Sequence, residues 1–244
     1  MVETLGASAH VWFCRVIAAP NPDHVARWAK LLDTVELARW QRYRRAEDRH
    51  LFLVAHAFLR TILSRYAEVA PSHWQFCQGE HGRPKLVAPG LGFDLRFNLS
   101  HTHGLVAVVV NQDIDCGVDV EPLDRDVDIE LVARQNFAIR EQADVMAHSG
   151  EDRKRRFLEL WTLKESYLKA RGLGLSLPLA KFAMTVADPV SIAFEPPIDD
   201  NSAIWQFHLF RPTAAHQLAV ALRRGKSADR SIVVREAYLP GEKP

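Results

Sequence analysis

The sequence predicts an α/β (α+β) protein of two similar halves, each a long helix packed on an antiparallel sheet. Three observations carry that reading. Two stretches, Glu47–Tyr66 and Arg153–Arg171, place apolar residues at helical spacing. Each has shorter helical stretches before it and a set of strand-like runs after it. No glycine-, serine- or proline-rich linker separates the two sets, so the halves are expected to pack tightly as one unit.

The elements follow in order. His10–Ala19 is apolar and suits a first strand, and Pro22–Leu32 and Thr34–Tyr43 read as short helices. In Glu47–Tyr66, residues Leu51, Phe52, Ala55, Phe58, Leu59 and Ile62 fall at i, i+3, i+4 spacing. Strand-like runs come next at Trp74–Cys77, Pro84–Val87, Asp94–Asn98 and Leu105–Val110. The pattern then repeats. Ile114–Val120 is a strand, Ile129–Phe137 and Arg140–His148 are helical, and Arg153–Arg171 ends at Gly172 and Gly174, which suit a C-cap. Further strands are expected near Phe182–Val186, Ser191–Phe194, Ile204–Phe210, Leu218–Leu222 and Ile232–Glu236. The join falls near Asn111–Asp115, which gives 1–112 as the first half and 113–244 as the second. A cleft between two such halves is a common ligand site.

Composition narrows the class. The 244 residues carry 48% hydrophobic and 25% charged side chains, the balance of an ordinary globular protein. A net charge of +1 gives no global sign of a nucleic-acid binder. No apolar run approaches the ~20 residues a membrane helix needs. The start, Met1-Val2-Glu3-Thr4-Leu5-Gly6, has no basic region followed by an apolar stretch. Cys14, Cys77 and Cys116 are far apart, odd in number and without metal spacing. They read as reduced, mostly buried thiols of a cytoplasmic protein.

The most informative residues are acidic. In Gly117-Val118-Asp119-Val120-Glu121 apolar and charged residues alternate, so Asp119 and Glu121 share one face of a strand. Ile114, Val118 and Val120 make that strand central, and Gly117 permits close approach of another backbone. About forty residues on, Glu165 and Lys169 lie one above the other on the helix that holds Trp161-Thr162-Leu163-Lys164-Glu165-Ser166-Tyr167-Leu168-Lys169. If strand and helix pack together, three carboxylates converge beside an ammonium. Such acids repel unless a hard cation sits between them, and Mg²⁺ is the usual one where phosphates are present. The plainer readings are a solvent-facing strand pair and a surface Glu–Lys pair worth ~0.3–0.5 kcal/mol. Against the latter, Glu165 adjoins the apolar stripe rather than opposing it. Lys164 is an equal candidate for the exposed one of the three charges.

Other clusters are weaker alone. Asn98-Leu99-Ser100-His101 falls between two strands, ahead of Gly104, and reads as a polar hairpin turn or a phosphate contact. Arg83, in Gly82-Arg83-Pro84, is a candidate anion contact at a turn. Arg39, Arg42, Arg44, Arg45 and Arg49, interleaved with Trp40 and Tyr43, suit a solvated helix face, phosphate binding or RNA. Arg153-Lys154-Arg155-Arg156 opens a helix against its dipole, so these cations are expected to be exposed, facing an acidic partner. No P-loop, GxSxG elbow or GxGxxG unit occurs, and His101-Thr102-His103 has no zinc spacing around it.

Taken in order, Gly82-Arg83-Pro84, Asn98-Leu99-Ser100-His101, Gly117-Val118-Asp119-Val120-Glu121 and the Trp161–Lys169 run resemble the 4′-phosphopantetheinyl transferase superfamily, in its surfactin-synthetase-activating type. The likeness runs from about Arg39 to Phe182 and takes in Gly172-Leu173-Gly174-Leu175-Ser176-Leu177-Pro178. It implies a monomer of two α/β halves related by a pseudo-two-fold, with coenzyme A and Mg²⁺ in the cleft between them. It implies transfer of the phosphopantetheine arm of coenzyme A to a serine of an acyl, peptidyl or aryl carrier protein, releasing adenosine 3′,5′-bisphosphate. On that resemblance Asp119, Glu121 and Glu165 match metal carboxylates and Lys169 a lysine near the pyrophosphate. Ser100 and His101 match contacts to the coenzyme's phosphates, Arg83 a basic residue at the nucleotide end, and Arg39 a contact on the 3′-phosphate side. Leu51 stands where close relatives place an arginine, with Arg49 and His50 beside it as substitutes. Glu165 is also the candidate base for the serine hydroxyl, and its two roles stay open. The competing functions are a non-catalytic module holding a carrier protein or coenzyme A, and an RNA binder using Arg39–Arg49.

Overall fold

The computed structural model describes residues 2–17, 21–79, 84–87, 91–172, 174, 177–196, 198–224 and 229–242. The chain runs β1 (Ser8–Arg15), α1 (Pro22–Ala29), α2 (Thr34–Arg42), α3 (Ala46–Leu63), β2 (Phe76–Gln78), β3 (Pro84–Leu86), β4 (Leu95–Thr102) and β5 (Leu105–Gln112). It continues with β6 (Cys116–Pro122), α4 (Ile129–Asn136), α5 (Ile139–Met146), α6 (Gly150–Arg171), β7 (Phe182–Thr185), β8 (Ser191–Phe194), β9 (Trp205–Thr213), β10 (His216–Arg223) and β11 (Ser231–Glu236). Among the described residues no helix is long and apolar enough to cross a membrane.

The chain divides into two units. The first draws on Met1–Gly79, Pro84–Asp113 and Arg230–Pro244; the second, among its described residues, on Ile114–Asp229. The terminal strand therefore does not stay with the chain that precedes it, as a second half of 113–244 would require. β11 instead pairs with β1, in parallel register from Ser8↔Ser231 to Phe13↔Glu236. A strand returning after a long excursion is free of the hairpin constraint that makes neighbours antiparallel. The sheet of the first unit is therefore mixed, in the order β11-β1-β5-β4, not wholly antiparallel.

Alternation explains how that sheet meets its helix. Val106, Val108 and Val110 of β5 point to one face and pack with Phe52, Ala55, Phe58, Leu59 and Ile62 of α3. Each fully buried side chain of this size contributes roughly 1.5–3 kcal/mol relative to exposure. The same unit buries an ion pair, Arg60 with Glu36. The guanidinium of Arg60 is fully buried, bonded to Glu36 and Asp33 at 2.7 Å and to the carbonyls of Pro71 and Trp74.

In the second unit α6 lies on a three-stranded antiparallel sheet, β6-β10-β9. Phe157, Leu160, Leu163, Tyr167 and Ala170 of α6 have no exposure, and they pack with Ala219 and Ala221 of β10 and Phe207 of β9. The helix stops at Gly172, whose φ of 64° takes the left-handed conformation that only glycine adopts freely. The cysteines are all free, Cys14 and Cys116 buried and Cys77 exposed.

Candidate functional site

The acidic site is built on one close contact. Gly117, Asp119 and Glu121 share a face of β6 and lie opposite Ala221, Ala219 and Gln217 of β10. The alanines on this face pack in the core with α6, so the three β6 residues face that helix. A β carbon built on Gly117 would stand 2.0 Å from the carbonyl oxygen of Ser166 and 2.5 Å from the amide nitrogen of Ala170. Only a glycine lets the helix come so near. That approach sets Asp119, two residues along the strand, beside Lys169, one turn below Glu165.

The contacts follow. Lys169 Nζ donates to Asp119 Oδ1 at 2.6 Å. Trp161 Nε1 donates to Glu121 Oε1 at 3.2 Å, and Arg125 donates to the same oxygen. The Arg125 guanidinium lies 5.2 Å from the centre of the Trp161 ring. Glu165, by contrast, accepts no hydrogen bond and joins no ion pair among the described residues. Burial pushes the carboxyl of Glu165 above the usual range, the charge of Asp119 pushes it further, and Lys169 and Arg125 pull against them. Glu121 is raised by the same two causes, burial first and Asp119 second, opposed by Arg125.

Among the described residues no three His, Cys, Asp or Glu side chains stand together as a ready metal cage. The reason is local: Asp119 is turned to Lys169 and Glu121 to Arg125. The donor set itself suits a hard divalent ion. It offers carboxylate oxygens only, on one strand face and the helix facing it, and includes one half-buried carboxylate without a counter-ion.

The first unit carries a separate feature. A pocket of about 850 Å³ is lined by Val16, Trp40, Arg49, His50, Leu51 and His103 among others. Two polar atoms of its wall, Trp40 Nε1 and His50 Nδ1, are buried and have no hydrogen-bond partner. Such atoms are costly unless a ligand or water meets them.

Comparison with known proteins decides the family. Residues 19–113 match the N-terminal model of the 4′-phosphopantetheinyl transferases, and residues 115–222 match the model of the 4′-phosphopantetheinyl transferase superfamily. The 4′-phosphopantetheinyl transferase HetI of Nostoc sp. (strain PCC 7120) is 32% identical over 193 residues, 79% of this chain and 81% of HetI. The chain belongs to the 4′-phosphopantetheinyl transferase superfamily. The 4′-phosphopantetheinyl transferase Sfp of Bacillus subtilis (strain 168) is 28% identical over 171 residues, 70% of this chain and 74% of Sfp.

Within the transferase, β6 and α6 pack together as the sequence reading expects and Lys169 meets Asp119, but Asp119, Glu121 and Glu165 do not form the expected three-carboxylate cluster among the described residues. Arg39 and Arg49 are exposed, and of the two only Arg49 lines the pocket. Arg83, with Gly82, Leu173, Leu175 and Ser176, lies outside the described residues. Ser100 and His101 are not in a turn: both belong to β4, and the turn comes at Gly104, whose φ is 81°. Their register against Ala107 and Val106 is regular, so their side chains point to opposite faces. Ser100 is buried and His101 exposed.

Two expectations about charge are corrected. Lys164 is not exposed but fully buried, because Glu141 meets it at 2.6 Å. Of the four cations at the start of α6, Arg155 is exposed as expected, whereas Arg153, Lys154 and Arg156 are half-buried. Arg153 bonds the carbonyl of His148 and pairs with Glu130, and Arg156 lies near Asp144 and Glu159. The residues that sequence reasoning missed are Arg125 and Gln217. Arg125 stands four places after Glu121 in a turn, where spacing carries no signal. Gln217 faces Glu121 only through a long-range register.

Proposed function

We propose that the β6–α6 acids are the catalytic centre of the transferase and that the first unit binds the nucleotide end of its donor. The family's activity is transfer of phosphopantetheine to carrier proteins, with coenzyme A as donor. In this reading Asp119, Glu121 and Glu165 hold Mg²⁺, which when bound neutralises charge on the coenzyme's diphosphate. Lys169 stands ready to stabilise charge on the departing phosphate. Glu165, a half-buried carboxylate without an ion-pair partner among the described residues, is the group proposed to take the proton of the carrier's serine hydroxyl. The serine oxygen then bonds to the phosphorus next to the pantetheine arm, and the bond from that phosphorus to the bridging oxygen breaks. Adenosine 3′,5′-bisphosphate leaves.

Arg39, Arg49, Arg83, Ser100 and His101 are proposed to bind the coenzyme's phosphates and nucleotide. For Arg49 the support is its place on a pocket wall beside the unmatched nitrogens of Trp40 and His50. We further propose that the protein works as a cytoplasmic monomer on acyl, peptidyl or aryl carrier domains.

The observation that carries the reading is the half-buried, unpartnered Glu165 beside Asp119 and Lys169. The test is incubation with coenzyme A, Mg²⁺ and several apo carrier domains, followed by mass spectrometry. A phosphopantetheine-sized gain is expected for the native protein and a far slower one for Glu165→Gln. No gain on carriers that a reference enzyme modifies favours the binding-module alternative.

A further inference from the structure

Glu121 has a cationic partner that the transfer chemistry does not require. Arg125 reaches back from the turn after β6 and pairs with Glu121 Oε1. It is also held a second way, with its guanidinium 5.2 Å from the centre of the Trp161 ring. Trp161 is itself fixed, stacked on Phe157 at 5.9 Å and 6.4 Å from Phe137. Arg125 therefore has one anchor that a metal ion would take and one that it would leave.

We propose that Arg125 is a placeholder cation: it occupies Glu121 in the metal-free transferase and exchanges with the divalent ion for that carboxylate. The inference rests on the reading of Glu121 as a metal ligand. The physical argument is one of competition. Arg125 and Trp161 both bond Oε1 of Glu121, so a hard cation on that carboxylate must share its charge with a guanidinium, and two positive groups so close repel each other. Removal of the guanidinium must then favour the ion. The exchange has a second consequence. A guanidinium released from Glu121, yet still stacked on Trp161, is left with unused donors. A diphosphate is the anion that suits them. Binding of coenzyme A thus gives Arg125 a new partner and lowers the cost of freeing Glu121. Arg125 in this way makes metal binding depend on the substrate.

The experiment is titration of the full chain with Mn²⁺, followed by electron paramagnetic resonance, with and without coenzyme A. Arg125→Gln is compared with the native protein, and Glu121→Gln serves as the control. Without coenzyme A, Arg125→Gln is expected to bind Mn²⁺ about fivefold tighter or more, the lower end of an ordinary coupling between two sites. Coenzyme A is expected to tighten Mn²⁺ binding less in Arg125→Gln than in the native protein. Unchanged or weaker binding by Arg125→Gln, while Glu121→Gln binds poorly, overturns the inference and leaves the metal reading intact. Undiminished binding by Glu121→Gln overturns the metal reading and the inference with it.

Discussion

Gly117 and Ser166 meet backbone to backbone, with no room for even a methyl group between strand and helix. The contact fixes the distance from β6 to α6, and that distance is what lets Lys169 reach Asp119 at 2.6 Å. Gly117→Ala is expected to cost roughly 1–3 kcal/mol or more, the usual penalty of overpacking, because both neighbouring atoms are backbone and cannot swing aside. Transfer activity should fall further than the loss of folded protein explains. Denaturant unfolding and carrier-modification rates on one preparation measure the two effects. A variant with native stability and rate would show that the close approach is dispensable.

A second prediction concerns the buried pair. Lys164 and Glu141 are both fully buried. Lys164 Nζ also donates to the carbonyl of Phe182 at 2.6 Å and lies 4.3 Å from the centre of that residue's ring. Glu141 accepts from the amides of Ala138 and Met184. Burial pulls the ammonium down and Glu141 pulls against it, with a net value of about 8. Removing one partner strands the other, so Lys164→Met is expected to lose about 3–5 kcal/mol. Glu141→Gln should also be costly, since the N–H groups of Ala138 and Met184 bond different carboxylate oxygens and an amide offers only one acceptor. Native stability of either variant in chemical denaturation would contradict this account.

The parts of the fold legible in the sequence are those set by local pattern. Apolar spacing marks α3, apolar residues round most of its circumference mark α6, a continuous apolar run marks β5, alternation marks β6, and Gly117 signals a close approach. The residues that were misread owe their places to distant partners. Lys164 looks like any surface lysine until Glu141, 23 residues back, is brought to it. β11 reads correctly as a strand, but nothing in Ser231–Glu236 says that it pairs with β1. The polarity of Ser100 and His101 signals a turn, whereas β-pairing with β5 satisfies their backbone and carries the strand past them. Arg125 was missed because its role depends on a tryptophan from another element.

Acid should test the Arg60 cluster. Glu36 accepts from His56 at 2.7 Å and from Arg60 at 2.7 Å. Burial alone would push its carboxyl up, but the hydrogen bond from His56 and the charges of His56 and Arg60 outweigh it, and the net shift is below the ordinary 4.5. A lowered carboxyl binds fewer protons folded than unfolded between its folded value and 4.5. Its contribution is therefore fully present above pH 4.5 and is lost as pH falls through the folded value. Urea unfolding between pH 6 and pH 3 should show a decline in stability. Glu36→Gln should be less stable at pH 6 and decline less on acidification. Parallel curves for the two proteins would rule the cluster out as a source of acid sensitivity.

The last prediction separates activity from stability at Glu165. A half-buried carboxylate with no hydrogen bond or ion pair, next to the charge of Asp119, opposes folding when ionised. Replacement by a neutral amide of the same shape removes that repulsion. Glu165→Gln is therefore expected to be as stable as the native protein or more so at pH 7, while its transfer rate falls by roughly 10²-fold or more, the scale of a lost acid–base group. Such opposite movements mark a group placed for chemistry at the expense of the fold. Asp119→Asn should behave differently. Asp119 is buried and bonded to Lys169, so its loss should lower stability and activity together. Thermal unfolding in the presence of a chelator, with transfer rates from mass spectrometry, distinguishes the two patterns. A Glu165→Gln variant that unfolds as readily as Asp119→Asn would mean that Glu165 supports the structure rather than the reaction.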